Sequence, residues 1–266
     1  MSIPLNSCII FGGTGAVGKS LVKDALSSNA FTRVLTLGRR PVPTENDSSF
    51  TNLSALEQKT IDFENIAATF PDEGSNLPQV VFCTLGTTRA AAGSAEAFKK
   101  IDQQYVLDSA RHIHEKAPKD PVTGLSKVHF LYCSSTNANA NSFFLYPKTK
   151  GETEKALAEI GFERVSIFHP AFLKTVEPRS SGTRSAEWIV DKFVPVLEFI
   201  SEKSATISVA SVALAMRLVG TSDSVDVQGV SPKSVGVNPK SRTKVTYFSN
   251  PNIHDIVNRY NASSKL

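Results

Sequence analysis

The stretch FGGTGAVGKS, residues 11–20, decides how the chain is read. It places Gly12, Gly15 and Gly18 directly after the apolar run at residues 7–11. The run that follows has a helical period: Val17, Leu21, Val22, Ala25 and Leu26. A strand, a glycine turn and a helix in that order present backbone N–H groups to a pyrophosphate. The first glycine permits the tight turn, the second lets phosphate approach the backbone, and the third lets the helix pack on the strand. The helix start adds unpaired N–H groups and a positive dipole end. Gly12, Thr14, Gly15, Ala16, Val17 and Gly18 are therefore the expected cofactor-binding turn. The same letters also spell GxxxxGKS from Gly13 to Ser20, a triphosphate-binding pattern. Residues further along favour the dinucleotide.

Working outward, residues 33–37, 58–63, 79–85, 127–135 and 164–169 are strand-like runs. Residues 95–116 and 146–160 have helical periods. Strands that are apolar throughout, alternating with helices, predict an α/β fold: a Rossmann-like, doubly wound parallel sheet covered on both faces. After Pro170 the pattern changes. An amphipathic run at 185–200 is interrupted by Pro195. Strands at 206–209 and 243–248 and helices at 211–220 and 250–260 follow. This small C-terminal portion is expected to close over the site as a substrate lid. Residues 221–242, rich in Ser, Gly, Pro and Val, read as a loop insertion. No internal repeat is visible, so residues 1–266 are expected to form one domain.

Apolar residues make up 41% of the 266 and charged residues 20%, a globular balance. A net charge of +4 is diffuse, and no nucleic-acid partner is implied. Cys8, Cys83 and Cys133 are the three cysteines, each in a strand-like run with no CxxC spacing. They read as buried thiols, with no metal site. His112, His114, His129, His169 and His254 are scattered and read as neither metal ligands nor triad members. No apolar run is long enough to span a membrane. The first residues have neither a signal-peptide core nor an Arg-rich presequence.

The second strand ends in TLGRR. An acidic residue there would hold a ribose 2′-hydroxyl. Arg39 and Arg40 suit a 2′-phosphate instead, so the expected cofactor is NADPH. Asp62 is placed to flank the adenine. The turn at Leu85 and Gly86, in CTLGTTR, is placed to pass beneath the cofactor at the carboxyl edge of the sheet.

The fifth strand ends in Ser134 and Ser135, and YPKTK follows with Tyr146 one helical turn before Lys150. A free phenol has a pKa of about 10. An ammonium about 5 Å away, at an effective dielectric of about 20, favours the phenolate by roughly 3 kcal/mol. Such a pair can pass a proton to a developing alkoxide. A serine hydroxyl beside it can stabilise that alkoxide. The two serines stay open as alternatives, with Ser135 slightly preferred.

The glycine turn, Arg-Arg, Ser-Ser and YxxxK occur in the order found in short-chain dehydrogenase/reductases. CTLGTTR, NSFFLYPKTKGETE and RSAEWIVDKF resemble, more narrowly, the atypical branch that contains the Tat-interactive oxidoreductase and the fungal mitochondrial-proteome proteins. The resemblance spans about residues 7–220 and 243–258. It implies that Tyr146 is the general acid for reduction of a small carbonyl substrate. Lys150 would tune that phenol and bind nicotinamide ribose, and a serine would orient the substrate oxygen. HPAFLKT, residues 169–175, resembles the family's Pro-Gly-x-Leu turn, with Ala171 replacing the glycine. Leu173 would then face the nicotinamide, and Arg184 would reach a cofactor phosphate. Trp188 and Phe193 would either line a substrate lid or belong to a helix packed on the core. The asparagine of the family's proton relay has no match, because FKKIDQQY occupies that helix.

The resemblance also admits a second function, a cofactor-bound regulatory or scaffold protein with vestigial catalysis and protein partners unknown. A nucleotide-sugar epimerase is disfavoured by the Arg pair. It implies a peripheral place on the cytosolic face of the mitochondrial outer membrane, with the cytoplasm as the alternative. Lys233, Lys240, Arg242 and Lys244 read first as a solvated basic loop, with a weak contact for anionic lipid as the sharper alternative.

Overall fold

Successive residues of the first strand, β1 (Leu5–Phe11), enter opposite cores. Cys8 and Ile10 pack on one side of the sheet, Ile9 and Phe11 on the other. That is why the strand is apolar throughout. The structure, a computed structural model, describes residues 5–45, 47–174 and 206–264. The strands are β2 (Phe31–Gly38), β3 (Leu56–Thr60), β4 (Val80–Cys83), β5 (Ser126–Cys133), β6 (Phe162–His169), β7 (Phe172–Lys174), β8 (Thr206–Ser208), β9 (Ser234–Val237) and β10 (Lys244–Ser249). Eight of them form one sheet in the order β3-β2-β1-β4-β5-β6-β10-β9. Every pairing is parallel except β9 with β10. The winding reverses between β1 and β4, which opens a crevice at their carboxyl ends.

The main helices are α1 (Ala16–Ser27), α2 (Ala95–Lys99), α3 (Tyr105–Lys116), α4 (Leu145–Glu159), α5 (Val209–Gly220) and α6 (Asn250–Ser263). Leu21, Met216 and Ile253, from α1, α5 and α6, are fully buried on one face. Val106, Ile113 and Leu157, from α3 and α4, are fully buried on the other. Each such side chain contributes about 1.5–3 kcal/mol. Arg217 of α5 reaches Asp24 of α1 at 2.5 Å, so an ion pair also joins these helices. The Asp24 carboxyl is pushed up by burial and drawn back by Arg217. Ser249 caps α6 reciprocally with Asn252, which stops β10 and turns the chain back onto the sheet.

Several boundaries differ from the sequence reading. β3 ends at Thr60, so Asp62 lies beyond it, accepting the Glu64 N–H at 2.9 Å. The helical run at 95–116 is divided by a π turn, Lys100–Gln104. Residues 221–242 are not a loop throughout. They contain β9, whose four residues are all exposed and so carry no inward-outward alternation. β7 was hidden in the same way and pairs with β8 in a separate two-stranded sheet. The expected helix at 185–200, with its Pro195 break, lies outside the described residues, as does much of the expected lid.

Candidate active site

Gly12 has φ 81°, and a Cβ there would sit 2.7 Å from the Thr84 carbonyl carbon and 2.8 Å from the Leu85 nitrogen. A Cβ on Gly18 would sit 2.1 Å from the Gly12 oxygen. These two glycines let the turn, α1 and the end of β4 come together. The Gly15 N–H donates to the Gly12 oxygen at 3.0 Å. Gly15 is the N-cap, and no acidic side chain stands in the first turn of α1. Thr14, Ala16 and Val17 complete this turn at the switch point. Lys19, which the triphosphate reading requires at a phosphate, instead pairs with Asp47 at 3.0 Å.

Arg39 and Arg40 are exposed at the end of β2, and among the described residues neither forms an ion pair. Beside them Tyr105 donates to Glu64, which pairs with Lys100 at 2.7 Å. Burial and Glu64 push the Tyr105 hydroxyl up to about 12. Asp62 belongs to this neighbourhood.

Tyr146 and Lys150 share one face of α4. The Tyr146 ring is half exposed and lies 5.8 Å from the Phe98 ring, and Lys150 Nζ is 6.0 Å from its centroid. Lys150 itself is buried. Its Nζ pairs with Asp102 Oδ1 at 2.8 Å and donates to the Tyr132 hydroxyl at 3.1 Å. Burial works against this ammonium. Tyr132, Asp102 and Tyr146 together more than offset it and hold its pKa well above the ordinary lysine value. Gly86 touches the pair, since a Cβ there would lie 3.2 Å from Asp102 Oδ1 and 3.3 Å from Lys150 Nζ. The loop at residues 84–87 therefore meets the glycine turn on one side and Lys150 on the other.

Ser134 is buried and donates to Glu154 Oε1. Ser135 Oγ is buried with no hydrogen-bond partner among the described residues. The two serines thus differ: one is tied into the fold and the other is unengaged at the site. Leu173 lies on β7 and is 39% exposed. Arg184, Trp188 and Phe193 lie outside the described residues.

No family model matches the chain. Among characterised proteins it is 34% identical over 210 residues to Protein HTATIP2 of Rattus norvegicus, covering 79% of each chain. It is 38% identical over 188 residues to the mitochondrial Protein FMP52 of Lodderomyces elongisporus, covering 70% of this chain and 74% of that one. The chain belongs to the HTATIP2/FMP52 family. Its fold is that of the short-chain dehydrogenase/reductases. A Burkholderia thailandensis oxidoreductase of that group superposes with TM-score 0.54 at 20% identity, over 84% of this chain and 87% of that one. The Bordetella bronchiseptica enzyme WbmF, solved with NAD+, superposes with TM-score 0.55 at 13% identity, over 82% and 70%.

In this HTATIP2/FMP52 relative, the glycine turn, Leu85, Gly86, Tyr146, Lys150 and both serines gather at one edge of the sheet. Sequence reasoning missed Asp102, Tyr132, Glu154 and His169. One signal for Asp102 was available. It stands four residues after Phe98 and four before Val106, on the stripe that α2 and α3 bury. A carboxylate there needs a partner. Among the described residues no group of His, Cys, Asp and Glu side chains is arranged to hold a metal ion.

Proposed function

We propose that the protein binds NADPH and reduces a carbonyl compound, with Tyr146 as proton donor. One observation carries this reading: the loop at residues 84–87 touches Gly12 on one side and Lys150 on the other. A dinucleotide seated on the glycine turn would therefore extend toward the Tyr146–Lys150 pair. The residues fit such a group. The turn between Gly12 and Gly18 is a cradle that side chains would fill, and α1 offers N–H groups to a pyrophosphate. Arg39 and Arg40 suit the 2′-phosphate. WbmF, of the same fold, was solved with NAD+.

When bound, the nicotinamide supplies hydride to the carbonyl carbon. Tyr146 then gives its proton to the carbonyl oxygen. Lys150 keeps a positive charge beside the Tyr146 ring, and the free Ser135 hydroxyl donates to the same oxygen. Leu173, exposed on β7, would give the nicotinamide an apolar surface to lie against.

A second reading has its own support. Lys150 donates to Tyr132 and pairs with Asp102, so its ammonium is already engaged away from Tyr146. A cofactor-bound scaffold with vestigial turnover follows from that. NADPH oxidation against a panel of aldehydes, ketones and quinones separates the two. Loss of activity by at least about 100-fold in Tyr146→Phe, with NADPH still bound, supports the reductase. NADPH binding with no turnover in the wild type supports the scaffold.

The FMP52 relatives are named mitochondrial, and among the described residues no helix is long and apolar enough to cross a membrane. We place this protein on the cytosolic face of the mitochondrial outer membrane, held peripherally. Carbonate washing of isolated mitochondria should release it. Recovery only in the cytosol refutes the placement.

A further inference from the structure

We propose that Asp102 is a positioning residue, which ties the loop at residues 84–87 to Lys150 and provides the counter-charge that keeps Lys150 an ammonium. Its effect on turnover rests on the reductase reading above; the pairing does not.

Asp102 is fully buried in the π turn between α2 and α3. Its two carboxylate oxygens serve different elements. Oδ2 accepts the Thr87 N–H at 2.7 Å, and Oδ1 meets Lys150 Nζ at 2.8 Å. Thr153 of α4 donates to its backbone oxygen at 3.4 Å. One side chain thus joins the loop after β4 to α4. Gly86 leaves the space that this requires, because a Cβ there would press on both members of the pair.

The other titratable groups around Lys150 are Cys83 from β4, Tyr132 and Cys133 from β5, and Tyr146 from its own helix. Burial pushes the Cys83 thiol up to about 12 and the Cys133 thiol to about 11. It raises the Tyr132 hydroxyl further still. These three are neutral at physiological pH. Burial also pushes the Asp102 carboxyl up, while Lys150 and the Thr87 N–H draw it back. At that pH the negative charge in contact with Lys150 is that of Asp102, 2.8 Å from Nζ, and Tyr132 adds its own hold on the ammonium only once it ionises.

The test is thermal melting of the full chain across pH, comparing wild type, Asp102→Asn and Asp102→Glu. In the wild type, Lys150 is raised above its unfolded value. Its contribution is fully present below about pH 10.4 and is lost above that. In Asp102→Asn, burial acts on the ammonium with no counter-charge and drives its pKa below the unfolded value. The unfolded chain then binds the extra proton, so stability rises with pH up to about 10. The expected result is a Tm about 10 °C below wild type near pH 7, with the gap closing as pH rises. Asp102→Glu should keep the wild-type slope. An Asp102→Asn curve parallel to the wild type overturns the proposal.

If the single variant does not fold, the double variant Asp102→Asn/Lys150→Met decides. It removes both charges, and recovery of folding supports the pairing. Failure of the double variant means that Asp102 acts through shape, and the proposal falls. NADPH-dependent reduction of phenanthrenequinone supplies the catalytic arm. The alkaline limb of its pH profile should move down by about one unit or more in Asp102→Asn. If the wild type reduces no carbonyl but the melting slopes separate, the reductase reading fails and the pairing stands. If the probe is reduced and the slopes coincide, this proposal fails alone.

Discussion

His169 Nε2 lies 2.9 Å from Glu154 Oε1, the same oxygen that accepts the Ser134 hydroxyl. One carboxylate thereby fastens the carboxyl ends of β5 and β6 to α4, one helical turn beyond Lys150. The cluster is buried and adjoins the Tyr247 ring, which lies 5.7 Å from His169. It fixes the distance between the strand that ends in the serines and the helix that carries Tyr146.

Removing that carboxylate leaves two buried polar groups without a partner. Glu154→Ala should cost about 2–4 kcal/mol of stability, and Glu154→Gln less, because the amide still accepts one hydrogen bond. Urea denaturation measures both. A loss below about 0.5 kcal/mol in the alanine variant would show that the cluster holds nothing.

The two serines should separate cleanly. Ser135→Ala is expected to lower kcat for carbonyl reduction about 100-fold with little change in Tm. Ser134→Ala is expected to lower Tm and leave kcat within about threefold, since its hydroxyl is spent on Glu154. The opposite pattern would exchange their roles.

Arg39 and Arg40 should select between the two nicotinamide dinucleotides. The double change Arg39→Ala/Arg40→Ala is expected to raise the Kd for NADPH at least about 30-fold and to leave that for NADH within about threefold. Fluorescence titration reads both constants. Equal losses for the two cofactors would place the 2′-phosphate elsewhere.

His129 gives a pH dependence of known sign. It is buried on β5, with Nε2 2.8 Å from Ser166 Oγ. Burial, aided by Arg164, holds its pKa well below the ordinary histidine value. As pH falls through about 6.5, the unfolded chain takes up a proton that the folded chain refuses. Stability is then lost at up to about 1.4 kcal/mol per pH unit. His112 and His114 are lowered too and steepen the whole curve. Denaturation midpoints between about pH 7 and pH 5 should therefore fall less steeply in His129→Gln than in wild type. Identical slopes would contradict this account.

The central strands were legible because burial on both faces writes itself as an unbroken apolar run, as in residues 7–11. The glycine turn was legible because its φ and its close contacts exclude side chains. β9 was not, since an exposed edge strand needs no apolar pattern. At the site, Tyr146 and Lys150 could be paired by helical spacing alone. The engagement of Lys150 with Asp102 and Tyr132 could not, because those partners stand on other elements and only the packed sheet brings them near. Glu154 and His169 were overlooked for the same reason. Glu154 reads as one more charged residue of a helix, and His169 as the end of an apolar strand, until β6 and α4 are set side by side.

The sheet has two open margins, and each carries a guard against self-association. β3 presents Glu57 and Lys59, paired at 3.2 Å. β9 exposes Val235 and Val237, side chains that would invite another strand to add on. It is only four residues long, has Gly236 at its centre and is followed by Lys240. Short length and a flexible midpoint make a poor template for a second chain. Neither margin is thus built to take on a further strand, and the sheet ends where its own chain ends it.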